Sequence, residues 1–284
     1  MPLEIIASES IPSDAINDDR VGTLGNLAWV IDGATDIGDG PIIGERSDAA
    51  WLAEAAGTWL AENGAQIGPD LQSLLPELTG FLRSSFEHGK RREPNGRHEH
   101  PSASCLIARL EGSSLEYVAV GDCTMLVEQA DGSIARYGTN TKDAGDAWLT
   151  PHIKRLAPSN GAPTSSNLRK ALIPTLRHAR SLMNRVPGYG VLSITEPPQR
   201  YIRHGSLDIP DGTRMLIASD GYLRLTDVYR KYTIKELLYE SFSNSLPAML
   251  DQLRKIEEAD ADCKTFPRAK ARDDASAILA VHRA

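Results

Sequence analysis

The stretch Arg214-Met-Leu-Ile-Ala-Ser-Asp-Gly-Tyr-Leu-Arg-Leu-Thr-Asp227 decides how this chain is read. Met215 to Ala218 is an apolar run that delivers Asp220 to a glycine and then to a more amphipathic segment. A buried strand ending in an acid-glycine pair holds a carboxylate rigidly at the rim of a sheet. Taken alone the pair reads as a turn, because Asp-Gly is also the favoured dipeptide of tight hairpins.

Repetition gives the pair its weight. Trp29-Val-Ile-Asp32-Gly33 again ends an apolar strand in Asp-Gly, and Tyr117-Val-Ala-Val-Gly121-Asp122 ends one in Gly-Asp. Asn17-Asp18-Asp19 lies near the start, and Arg272-Asp273-Asp274 precedes the last apolar run, Ala275 to Val281. Each acid sits at an end of an expected strand, so a sheet system can gather them. Acids gathered in this way repel one another unless cations are present. An all-oxygen set without His or Cys suits Mg²⁺ or Mn²⁺. Asp131-Gly132 and Asp211-Gly212 read as plain turns and carry no chemistry.

In the succession Asn-Asp-Asp-Arg, Val-Ile-Asp-Gly, Ala-Val-Gly-Asp, Ala-Ser-Asp-Gly and Arg-Asp-Asp-Ala-Ser, from residue 17 to 276, the chain resembles the metal-dependent protein phosphatase 2C (PPM) family, in its bacterial serine/threonine form. The resemblance implies an α+β fold of four layers, αββα, with two antiparallel sheets packed face to face and flanked by helices. It implies two or three Mn²⁺ or Mg²⁺ ions. Asp32 would bridge two of them, with the Gly33 carbonyl on one, and Asp220 and Asp273 would complete the other. Asp18 would act through water, Asp19 would stand behind it, and Asp122 would belong to a third, weaker ion. The implied reaction is hydrolysis of phosphoserine or phosphothreonine on proteins by a metal-bridging water, with Asp32, Asp220 and Asp273 as the catalytic acids. The phosphoprotein partner would come from a serine/threonine kinase.

Two positions depart from the family. Many members carry an Arg four residues before the first motif acid, where it holds the substrate phosphate; here that residue is Asp14. Ala34 stands where the animal branch has a His, which bacterial members often lack. A carboxylate cannot replace a bidentate phosphate clamp. Arg46 and Arg20 are the substitutes nearest a motif, with Arg91 and Arg92 as mobile options. The missing clamp also leaves two rivals open: a family-like binding or regulatory module that has lost turnover, and an esterase for small phosphorylated molecules.

Bulk properties fit these readings. The chain has 284 residues, 41% hydrophobic and 24% charged, with a net charge of −7. An acidic balance of this kind argues against a general nucleic-acid binder. Cys105, Cys123 and Cys263 have no metal-ligand spacing and read as free thiols of a reducing compartment. The N-terminal stretch lacks the pattern of a signal peptide, and no apolar run approaches the ~20 residues that span a bilayer. A cytoplasmic protein without membrane partners is expected.

The pattern along the chain suggests one domain, 1–284. Strands are expected at 3–12, 25–31, 103–110, 115–121, 123–129, 134–137, 190–195, 200–204, 214–219 and 275–282. Those from 103 to 137 read as one antiparallel meander. Helices are expected from the Ser47 cap to Asn63-Gly64, at 70–88, 165–185, 232–242 and 246–259. The basic segment 88–100 reads as a solvated loop or as an attractor of acidic partners; His98-Glu99-His100 lacks a third ligand. Residues 139–163, with Asp143 and Asp146, read as a flap or lid.

Overall fold

The computed structural model describes residues 3–66, 68, 70–138, 165–268 and 270–283, with backbone alone for 165–170. The expected flap, with Asp143 and Asp146, lies outside the described residues. In chain order the elements are β1 (Leu3–Ile11), β2 (Arg20–Leu24), β3 (Leu27–Gly33), α1 (Asp48–Asn63), α2 (Leu74–Gly89), β4 (Ser102–Glu111), β5 (Ser114–Val120), β6 (Thr124–Glu128) and β7 (Ile134–Gly138). There follow α3 (Ser165–Ser181), β8 (Leu192–Ser193), β9 (Arg203–Asp208), β10 (Arg214–Ala218), α4 (Asp220–Asp227), α5 (Ile234–Asn244), α6 (Leu246–Ala259) and β11 (Ala275–His282).

Two antiparallel sheets result. One runs β1-β11-β10-β6-β7; the other runs β2-β3-β4-β5-β9, with β8 beside β4. Between them lies a core that includes Val30, Leu106, Ala119, Met125, Ile217 and Ile278. On the outer face of the second sheet, Trp29, Ile31 and Val118 pack under α1 and α2 through Leu52, Leu60, Leu78 and Leu82. On the outer face of the first, Leu126, Leu216 and Leu279 pack under α4, α5 and α6 through Tyr222, Leu238 and Leu250. The expected order of helix, sheet, sheet, helix holds. Strands covered on both faces read as continuous apolar runs, which is why β3, β10 and β11 stand out in the sequence.

Several local expectations change. The meander is two hairpins in different sheets: β4 pairs β5 and β6 pairs β7, but the chain crosses from one sheet to the other at Gly121-Asp122-Cys123. Arg20–Leu24 is a strand absent from the expected set; its half-exposed residues give no apolar run. Gln199–Tyr201 is a 3-10 turn, so β9 starts at Arg203. The expected helix to 185 stops at Ser181. Asp70 caps a 3-10 turn, Leu71–Ser73, ahead of α2.

Candidate active site

The period-2 alternation of a strand explains how the acids are delivered. In β3, Leu27, Trp29 and Ile31 face the helices, while Ala28 and Val30 face the other sheet. Asp32 continues the second set, so it emerges at the rim of the inter-sheet core. Asp19 likewise precedes Val21 on the inter-sheet side of β2. Asp122 sits in the crossing between the sheets, Asp220 opens α4 directly after β10, and Asp273 lies just ahead of β11. Different elements thus bring five acids to one rim.

The five Asp-Gly pairs of the chain separate into two kinds, and Gly40, at φ +118° with open space where a Cβ would sit, belongs with the turn glycines. Gly132 and Gly212 have φ of +74° and +82°, and a Cβ on either would meet no backbone. They are glycines because a turn needs the left-handed region. Gly33 and Gly221 do not have positive φ; instead a Cβ on Gly33 would collide with the Asp18 carbonyl, and one on Gly221 with the Asp274 carbonyl. Gly33 N–H also donates to that Asp18 oxygen, at 3.2 Å. Here glycine records a close approach between two motifs, Asn17-Asp18-Asp19 with Asp32-Gly33, and Asp220-Gly221 with Asp273-Asp274.

The electrostatics of the rim are those of an acid cluster short of positive charge. Burial first, then the neighbouring acids Asp19, Asp220, Asp122 and Asp273, push the Asp32 carboxyl well above its ordinary range. Asp19 is pushed up to about 8 by burial and by Asp274 and Asp273. Both of its oxygens are buried without a hydrogen-bond partner. The hydroxyls of Ser276 and Ser219 favour its anion, but they do not reach hydrogen-bond geometry. Burial and the charges of Asp122 and Asp273 raise Asp220 to about 7. Asp18 is raised chiefly by burial and opposed by Ser47.

Fixed partners orient some of these groups. Ser47, the N-cap of α1, donates its hydroxyl to Asp18 Oδ1 at 2.6 Å while accepting from Ala50 N–H. Asp274 takes N–H bonds from Ser13 at 2.6 Å and Asp18 at 2.7 Å, and so pins the first motif to the last. Ser104 donates to Asp122 Oδ1. Asp273 is the exception among the acids, because cations hold both its oxygens. Lys270 Nζ reaches Oδ1 at 2.8 Å, and Arg224 Nη2 reaches Oδ2 at 2.5 Å. Burial works to raise its carboxyl, yet these two cations bring it below the ordinary range. Behind it, Arg224 and Arg254 both contact the buried Glu257 of α6.

Lys270, Arg224 and the second bond of Ser47 were not foreseen from the sequence, and Asp274, part of the last motif, was given no role there. Isolated basic residues and a cap serine carry no spacing signal. The arginines proposed for phosphate differ from expectation. Arg20 bonds Glu54 and the carbonyls of Asn17 and Asp19, so it braces the first motif. Arg91 bonds the carbonyls of Ile43 and Gly44, and Arg92 bonds Glu99 and the Gly40 carbonyl, so both are tethered to the segment that follows Asp32. Arg46 is exposed and makes no hydrogen bond or ion pair with a described residue. Glu99, in the dismissed His-Glu-His run, anchors the loop after Asp32 by accepting from Asp39 N–H and Asn95 N–H.

The donors fit a hard cation in kind and in charge: every candidate is an oxygen, four carboxyls (Asp18, Asp19, Asp32 and Asp220) are held above their ordinary range, and Asp19 has two orphaned oxygens. They do not yet converge. Among the described residues no three His, Cys, Asp or Glu side chains are grouped so as to hold a metal ion. Asp273 is bonded instead to Lys270 and Arg224. The three cysteines are free and buried, and no described helix is long and apolar enough to cross a membrane.

No protein-family model matches the sequence, and no curated protein matches it either. Solved structures do. The Mycobacterium tuberculosis serine/threonine phosphatase PstP/Ppp is similar over 100% of both chains, with a TM-score of 0.59 and 16% identity. The serine/threonine phosphatase of S. agalactiae is similar over 99% of this chain and 100% of its own, with a TM-score of 0.58 and 12% identity. The catalytic domain of PstP in complex with two manganese ions is similar over 98% of each chain, with a TM-score of 0.52 and 16% identity. The chain therefore has the fold of these bacterial serine/threonine phosphatases, two antiparallel sheets between layers of helices, as its motifs imply.

Proposed function

We propose that this chain is one catalytic domain that hydrolyses phosphomonoesters, with phosphoserine or phosphothreonine of a protein as substrate and Mn²⁺ or Mg²⁺ as cofactor. The observation that carries the reading is the rim cluster, in which Asp19, Asp32 and Asp220 are all held above their ordinary range and Asp19 has no hydrogen-bond partner for either oxygen. A fold gains nothing by gathering such acids unless a cation offsets them. The fold shared with manganese-bound PstP supports the same choice of cofactor.

Asp32, Asp220, Asp19 and Asp122 would hold the cation. When bound, it would supply Lewis acidity, making a water nucleophilic near neutral pH and offsetting charge on the phosphoryl oxygens. The other residues prepare the ground. Ser47 and Asp274 fix Asp18, where it can orient a water, and the close packing at Gly33 and Gly221 holds neighbouring motifs in register. Arg46, exposed and next to Ser47, would meet the phosphate dianion and take the part that Asp14 cannot.

The test is hydrolysis of an aryl phosphate and of a phosphopeptide with and without Mn²⁺, beside Asp220→Asn. Metal-dependent turnover lost in the variant supports the reading, and no turnover with any metal overturns it. The second reading, a binding module without turnover, is favoured by the capture of Asp273 by two cations and by Asp14. Metal binding without hydrolysis would select it.

A further inference from the structure

We propose that the Lys270 ammonium takes the place of one metal ion, so that the chain binds a single divalent cation where manganese-bound PstP has two. This rests on the cation-dependent reading above. Lys270 Nζ donates to Asp273 Oδ1 and to Thr35 Oγ1, 2.8 Å each. It thereby bridges the last motif to the residue two places beyond Gly33. Asp273, Asp32 and Asp220 all face the ammonium as opposite charges. These three acids are the ones expected to share the paired ions.

Three features make the placement a built one. Its side chain is 30% exposed, against 70% for Lys255 on α6. The described residues on either side of it are held, because Arg268 bonds both Asp260 Oδ2 and the Asp260 carbonyl while its Nε donates to the Ala271 carbonyl. The other Asp273 oxygen is already taken by Arg224, itself braced on Glu257. A metal ion recruiting Asp273 would have to displace one charge-assisted bond and then sit beside a fixed positive charge. The rest of the rim, Asp19, Asp32, Asp122 and Asp220, keeps its demand for one cation.

The experiment counts ions without reference to turnover. Free Mn²⁺ is titrated against protein and read by electron paramagnetic resonance, for the unsubstituted chain, Lys270→Met and Lys270→Arg. One equivalent is expected for the unsubstituted chain and for Lys270→Arg. Two are expected for Lys270→Met, the second binding at least about tenfold more tightly than any second equivalent in the other two. Two equivalents in the unsubstituted chain overturn the proposal whatever the variants do, including a variant that fails to fold. One equivalent in a folded Lys270→Met also overturns it. No binding in any of the three would instead overturn the cation-dependent reading itself.

Discussion

Two acidic neighbourhoods of this molecule meet burial in opposite ways. Asp48 and Glu99, around the loop that follows Asp32, are 3% and 7% exposed and are saturated with donors. Asp48 accepts from the N–H groups of Ile42, Ile43 and Gly44. Glu99 accepts from two N–H groups and from Arg92, which together outweigh burial and bring its carboxyl to about 2. Asp19, 1% exposed, has none of this and is pushed up to about 8. The first pair organises a loop and is complete within the chain. The second neighbourhood has no such donors for Asp19 among the described residues, and this is the difference that the proposed cation would make good.

The sharpest break of that contrast is in activity. Asp32→Asn is expected to lower metal-dependent hydrolysis of an aryl phosphate by at least about 10³-fold, with the metal-free thermal midpoint unchanged or higher. Next comes stability. Glu99→Gln leaves Arg92 and two N–H groups facing a neutral amide and should cost about 3 kcal/mol in urea unfolding. Asp19→Asn should be neutral or stabilising in the metal-free protein, because its anion is disfavoured there.

A third test uses pH. The folded-state values of Asp19 and Asp220, about 8 and about 7, lie above the ordinary 3.8. Their contribution is therefore fully present below about 4 and is lost as pH rises towards about 8. Metal-free protein should lose stability across that window, and saturating Mn²⁺ should flatten the profile. Glu99 has the opposite sign: its contribution is present above the ordinary 4.5 and is lost as pH falls towards about 2. The smallest effect is at Arg20. Arg20→Ala should cost below about 1 kcal/mol, since its ion pair with Glu54 is exposed, and should leave the Michaelis constant unchanged. Arg46→Ala should raise that constant several-fold.

What could be read from the sequence follows from range. The apolar runs of β3, β10 and β11 and the helical faces of α1 and α2 are local patterns, so the layers and most element positions were legible. Val21 to Leu24 was not, because a short, half-exposed edge strand has no apolar run to mark it. The change of sheet at Asp122 was equally silent, since two hairpins in different sheets have the same turns as one meander. At the rim, residue type named the acids. The cations that compete for Asp273 could not be named, because Lys270 meets Thr35 and Arg224 meets Glu257 only across the fold.

The collisions that exclude a side chain at Gly33 and Gly221 bear on how such a chain can be spliced. Asp18 and Gly33 must be inherited together, and so must Gly221 and Asp274, although each pair is separated by intervening strands or helices. A hybrid joined inside either interval would have to match two backbones from different parents at van der Waals distance. Joints at the Gly112 and Gly132 turns leave both pairs intact. The units that can be exchanged in this protein are therefore pairs of touching segments, and the boundaries between them fall at its hairpin tips.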